Sequence, residues 1–154
     1  ISIIIMSYKL IYPTYSYQSD LDTRLAKRFA KKINKIIPTN EKIAIYEIQT
    51  QYYINAHVIS FDGRVGNEFL PMLNKKQSFI ETLKKHDIKY FSIDENLSEQ
   101  IKADSCIQFM IDKRNEISVN ESINYKGNKI EKIFEADQSI ESFKMYGDIF
   151  KIIL

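Results

Sequence analysis

Between Lys42 and Ile93 the sequence alternates short β-branched runs with segments of helical spacing, and this alternation restricts the fold more than any other feature. Lys42-Ile43-Ala44-Ile45-Tyr46-Glu47 reads as a first strand, residues 49–54 as a helical turn, and Val58-Ile59-Ser60-Phe61 as a second strand closed by Asp62-Gly63. Residues 68–73 read as a short helix. Residues 78–86 are amphipathic, with Phe79, Ile80 and Leu83 inward, and they lead into Ile88-Lys89-Tyr90-Phe91-Ser92-Ile93 as a third strand. Strands separated by helical segments predict a parallel sheet joined by crossover helices.

Upstream, Ser19 and Asp22 form a capping-box pattern, and Asp20 and Asp22 suit the positive end of a helix dipole. Leu21, Leu25, Phe29, Ile33 and Ile36 then recur at helical spacing until Pro38 ends the helix. Downstream the character changes. Cys106-Ile107-Gln108-Phe109-Met110-Ile111 reads as a strand, residues 120–132 are mostly polar around a Gly127-Asn128 turn, and Gly147-Asp148 joins two apolar runs as a C-terminal hairpin. The expected fold is a small α/β domain of two or three layers, with a mostly parallel sheet, crossover helices and a C-terminal β-hairpin. Residues 18–154 are expected to form one domain.

The bulk numbers agree with this. At 154 residues, 44% hydrophobic and 27% charged, the chain has the size and composition of one globular domain. A formal charge of +2 gives no bulk argument for a nucleic-acid partner. The single Cys106 excludes an internal disulfide and any cysteine-rich metal site, and it reads as a small core residue. The chain begins Ile1-Ser2-Ile3-Ile4-Ile5-Met6, with no initiator Met, and the expectation is a piece of a larger protein. The apolar run is too short to span a bilayer. Residues 1–17 are therefore read as a membrane-proximal segment: a buried strand, a tail or the stub of a transmembrane helix.

No self-sufficient catalytic centre stands out, and no metal or cofactor is expected. Asp20-Leu21-Asp22 matches an Asp-x-Asp metal pattern, but helix capping already explains both carboxylates. His57 and His86 lack partners at ligand spacing. Gly63 and Gly66 lack the remaining features of a phosphate loop or a dinucleotide fingerprint. No serine stands in a nucleophile elbow. Asn96-Leu97-Ser98 and Asn120-Glu121-Ser122 match the glycosylation sequon, which matters only in an exported chain. By location, Asp62 and Arg64 are the candidate ligand-binding residues with Glu47, because open α/β sheets bind ligands beyond the carboxyl ends of their strands. Lys27, Arg28, Lys31, Lys32 and Lys35 form a basic helix face, either simply solvated or set against anionic lipid headgroups.

One resemblance joins these stretches. Residues 37–47 (Ile-Pro-Thr-Asn-Glu-Lys-Ile-Ala-Ile-Tyr-Glu), then Gln51-Tyr52-Tyr53, then residues 58–66 from Val58 through Asp62-Gly63-Arg64 resemble the C-terminal soluble domain of multi-spanning GT-C membrane glycosyltransferases. The class includes protein mannosyltransferase-like and lipid A aminoarabinose transferase-like enzymes. The run Lys89-Tyr90-Phe91-Ser92-Ile93 and the closing Tyr146-Gly147-Asp148-Ile149-Phe150-Lys151-Ile152-Ile153-Leu154 extend the likeness over roughly residues 18–93 and 142–154. The resemblance implies a non-catalytic accessory domain outside the cytoplasm, attached to an enzyme that uses a polyprenyl-phosphate sugar donor. It also implies partners in the parent's transmembrane helices and a glycan or protein acceptor. The family's catalytic acids lie in loops between spans, and Asp20 and Asp22 do not correspond to them. Two rivals remain from the residues alone. One is a free-standing nucleotide- or sugar-binding α/β protein, with its site near Glu47, Asp62 and Asp94. The other is an interaction module docking through Tyr8, Tyr12, Tyr15 and Tyr17.

Overall fold

The computed structural model describes residues 23–46, 48–61, 67–94, 97–136 and 147–153. Helix α1 occupies residues 23–33 of the described chain. It is followed by β1 (Lys42–Ile45), a 3-10 turn (Ile48–Tyr52), β2 (His57–Ser60), α2 (Leu70–Leu73), α3 (Phe79–Lys85) and β3 (Tyr90–Ile93). Then come α4 (Glu99–Lys102), α5 (Ser105–Lys113), β4 (Ser122–Tyr125), β5 (Asn128–Phe134) and β6 (Asp148–Ile153). The six strands form one mixed sheet in the order β2-β1-β3-β6-β5-β4. β1 pairs in parallel with β2 and β3, whereas β6, β5 and β4 are joined by antiparallel ladders.

Side-chain alternation assigns the two faces. Ile43, Ile45, Tyr90 and Ile149 meet Leu25, Ala26, Phe29, Ala30 and Ile33 of α1, forming one core. Ala44, Ile59, Phe91, Ile93, Ile130, Phe150 and Ile152 meet the α2–α5 layer, forming the other. The result is three layers with the sheet in the middle. From β1 the chain moves one strand to β2, then doubles back past β1 to β3. Right-handed crossovers require such a reversal to place its two connections on opposite faces. Tyr53, Ile54 and Ala56 accordingly pack with α1, while Met72, Phe79 and Leu83 pack on the other side. In that second core Phe61, Phe69, Phe79, Phe91 and Phe150 form a continuous aromatic chain, with successive ring centroids 5.3–5.7 Å apart.

Side chains fix the starts of α3 and α5. Ser78 and Glu81 form a reciprocal capping box: the Ser78 N–H donates to Glu81 Oε2 at 2.8 Å, and Ser78 Oγ accepts from the Glu81 N–H at 3.3 Å. The Ser78 backbone N–H and hydroxyl hold the Glu81 carboxyl below its ordinary range, so the cap acts at neutral pH and is lost as pH falls below that range, through the lowered value. Asp104 joins two helices. Its Oδ1 accepts from the Cys106 and Ile107 N–H groups at 2.8 and 3.2 Å, and its Oδ2 from the Phe79 N–H at 2.9 Å.

The sequence expectation needs two corrections. The sheet is mixed rather than mostly parallel: two ladders are parallel and three, β3–β6, β6–β5 and β5–β4, are antiparallel. Residues 106–111 lie in helix α5, not in a strand. Asp104 caps them, and burial follows helical spacing through Cys106, Ile107 and Met110. The polar stretch after Asn120 holds the β4–β5 hairpin, whose two turn residues Lys126 and Gly127 have φ of 46° and 81°. Positive φ at both central residues is the turn that matches strand twist. Of the expected C-terminal hairpin, the second run is β6; its proposed partner at 142–146 lies outside the described residues.

Phe79 is fully buried, with ring contacts to Phe61, Phe69 and Phe91. Phe79→Ala should lower unfolding free energy by about 3–5 kcal/mol, read as a reduced urea midpoint at unchanged slope.

Candidate functional site at the carboxyl end of strand β3

β3 ends at Ile93, opposite Asp148, the first residue of β6. Gly147 has φ 69°, and a Cβ there would collide with the Ile93 carbonyl and the Asp94 amide. A residue without a side chain lets the incoming chain lie directly on the end of β3. Both Asp94 and Asp148 are buried, at 1% exposure each.

The charge facing Asp148 comes from β5. Lys132 and Phe150 are register partners on the α5 side of the sheet, and Phe134 and Ile149 are partners on the α1 side. A bulge between Lys132 and Phe134 permits this change of face over two residues. It lets Phe134 reach Phe29 of α1 (centroids 5.6 Å apart) while Lys132 stays under α5. Lys132 is wholly buried. Its Nζ donates to the Arg114 carbonyl at 2.9 Å and to Glu135 Oε1 at 2.9 Å. It also lies 3.1 Å from Asp148 Oδ2, an ion pair whose alignment falls short of a hydrogen bond. Asp148 Oδ1 accepts the Ala136 N–H at 2.8 Å. The ammonium thus ties the ends of α5, β5 and β6 together beside Asp94.

A cavity of about 280 Å³ opens here, lined by Asp94, Lys102, Ile111, Arg114 and Asn115. Asp94 supplies acceptors, Lys102 and Arg114 supply cationic donors, and Asn115 supplies both. Lys102 also meets Glu99 at 3.2 Å, an exposed pair of little energetic weight. The cavity is smaller than the usual pocket for a drug-sized molecule and suits a compact polar ligand that exchanges several hydrogen bonds at once.

Two concavities lie elsewhere on the α2–α5 layer. An open groove of about 490 Å³ includes Lys75, Lys76, Ser78, Gln100 and Ser105, and a cleft of about 220 Å³ includes Ser105, Cys106, Tyr125 and Lys126. In the cleft, Ser105 Oγ lies 2.6 Å from Tyr125 Oη, and Lys126 Nζ donates to Ser105 Oγ at 3.4 Å. A nucleophilic serine there would need oxyanion donors, but Asp104 already occupies the Cys106 and Ile107 amides. Cys106 is buried, and burial followed by the nearby Asp104 carboxylate pushes its thiol far above the ordinary range. It cannot serve as a ready thiolate.

Of the residues singled out in the sequence, Glu47, Asp62, Arg64, Asp20, Asp22 and the N-terminal tyrosines lie outside the described residues. Asp94, named with the rival binding reading, does reach a cavity. Lys102, Arg114 and Asn115 were not legible as neighbours of Asp94, since only the placements of α4 and α5 bring them there. His57 is exposed at the start of β2, and the His86 carbonyl accepts Lys42 Nζ at 2.7 Å. Among the described residues no group of His, Cys, Asp or Glu is placed to hold a metal ion, and no helix is long and apolar enough to cross a membrane. No family model, curated protein or solved structure matches this chain.

Two predictions follow from the buried groups. Lys132→Met leaves Asp148 buried without its cation and should cost about 3–5 kcal/mol by chemical denaturation; adding Asp148→Asn should recover part of that loss. Cys106 should resist alkylation by iodoacetamide at pH 8 in native protein and react fully in urea, as followed by intact mass.

Proposed function

We propose that this chain is a non-catalytic binding domain that holds a small sugar or sugar phosphate at the carboxyl end of β3. The observation that carries the reading is the cavity bounded by Asp94, Lys102, Arg114 and Asn115. A carboxylate, an amide and two cations at one small cavity offer the paired donors and acceptors that a polyhydroxylated ring uses, and the cations also accommodate a phosphate. The location at a strand's carboxyl end follows the rule for open α/β sheets.

The setting we propose is the accessory domain of a membrane glycosyltransferase with a polyprenyl-phosphate sugar donor, lying outside the cytoplasm and shaping acceptor access. The order of α1, β1, β2, α3, β3 and β6 supports it, because the resemblance is carried by those segments. In this reading the loops between the parent's transmembrane spans perform the chemistry, and the cavity presents one sugar of the acceptor or donor.

The test is an amide NMR titration with mannose, N-acetylglucosamine and their 1-phosphates. Binding should shift resonances of Asp94, Lys102, Arg114 and Asn115 first. Lys102→Gln and Asn115→Ala should each weaken it about fivefold, the share of one hydrogen bond. Shifts confined to other surfaces, or none up to about 10 mM ligand, would refute the reading.

A further inference from the structure

The outward side of α1 and the turn after it carry a dense run of cationic charge. Arg24, Lys27, Arg28, Lys31, Lys32 and Lys35 are all exposed, and no Asp or Glu occurs between Thr23 and Asn40. The chain has 22 basic and 20 acidic residues, so outside the segment from Thr23 to Asn40, 16 basic residues face 20 acidic ones. The small overall charge therefore hides a division: one cationic helix on a body that is otherwise net negative.

The surroundings of this face are amphipathic. Lys27 Nζ arches over the Tyr53 ring at 5.3 Å, and Lys32 Nζ over the Phe134 ring at 5.8 Å. Asn34 anchors the next segment to the helix, donating to the Tyr53 carbonyl at 2.9 Å and accepting the Asn55 N–H at 2.7 Å. Just before that anchor stands Tyr52, 78% exposed, and the turn that follows the helix carries Ile36, 41% exposed. Exposed lysines whose ammonium heads lie over aromatic rings, beside an exposed tyrosine and isoleucine, match the mixed cationic and aromatic chemistry of a bilayer interface.

We infer that α1 is a docking face for an anionic lipid bilayer, with the six cations among the headgroups and Tyr52 and Ile36 at the headgroup–acyl boundary. Charge complementarity fixes the class of partner, and the apolar residues choose among anionic partners. A convex helix face with four lysines as point charges suits mobile headgroups better than the fixed spacing of a nucleic-acid backbone. The inference stands on α1 and its neighbours and is independent of the sugar-binding reading.

The experiment is vesicle co-sedimentation of the full chain with phosphatidylglycerol/phosphatidylcholine mixtures and with pure phosphatidylcholine, at about 0.1 M salt. Binding should require the anionic lipid and weaken with added salt. The triple variant K27Q/K31Q/K35Q alters only exposed positions, so its fold is checked by circular dichroism, and its partitioning should fall about 100-fold. Tyr52→Ser should reduce binding without changing the salt dependence. Equal binding to neutral vesicles, an unaffected triple variant, or displacement from vesicles by an equal charge concentration of duplex DNA would overturn the inference.

Discussion

A lysine side chain is rarely sealed from water, because an ammonium in the interior must recover its lost hydration from the protein. Lys132 meets this demand with three groups: the Asp148 carboxylate, the Glu135 carboxylate and the Arg114 carbonyl. Each belongs to a different junction. Asp148 begins β6, Glu135 follows β5, and Arg114 ends α5. The arrangement is possible only because the bulge in β5 keeps Lys132 under α5 while sending Phe134 to α1. Moving any one of these elements leaves a buried charge unmatched, so the ammonium fixes them relative to the end of β3. Asp94 and the cavity lie at that fixed corner.

The corner also joins the two halves of the sheet. β1, β2 and β3 form a parallel unit of the kind that crossovers build, and β4, β5 and β6 form an antiparallel unit. Their seam is the β3–β6 ladder, made by Phe91 against Phe150 on one face and by Ser92 against Ile149 on the other. Gly147 allows the chain to enter that seam without a steric collision. The aromatic chain from Phe61 to Phe150 crosses the same seam inside the core. Packing therefore couples the halves, and the polar cluster selects how their ends align.

Elements with a local signal were legible in the sequence. Phe29 and Ile33 lie at helical spacing before Pro38, Phe79, Ile80 and Leu83 mark the inward face of α3, and the β-branched runs of β1 and β2 are flanked by turn residues. The failures have physical causes. Residues 106–111 are so apolar that helix and strand look alike, and only the Asp104 cap distinguishes them. β4 is an edge strand with exposed and half-buried residues alternating, so its polar sequence showed the turn at Gly127-Asn128 without the strands that flank it. Asp94 could be placed at a strand end, but its neighbours come from the helix misread as a strand and from the short helix before it. A buried Lys132 cannot be inferred from a sequence in which lysines are ordinarily surface residues. Glu47, Asp62 and Arg64 were chosen on the same strand-end rule and fall outside the described residues.

The central claim is that the corner beside Lys132 is a binding site and not merely a stabilised junction. A crystal structure of the protein soaked with mannose 1-phosphate tests this most directly. The account predicts a sugar ring hydrogen-bonded to Asp94 and Asn115, with its phosphate toward Lys102 and Arg114. An empty cavity in crystals that carry the ligand at another surface would contradict it.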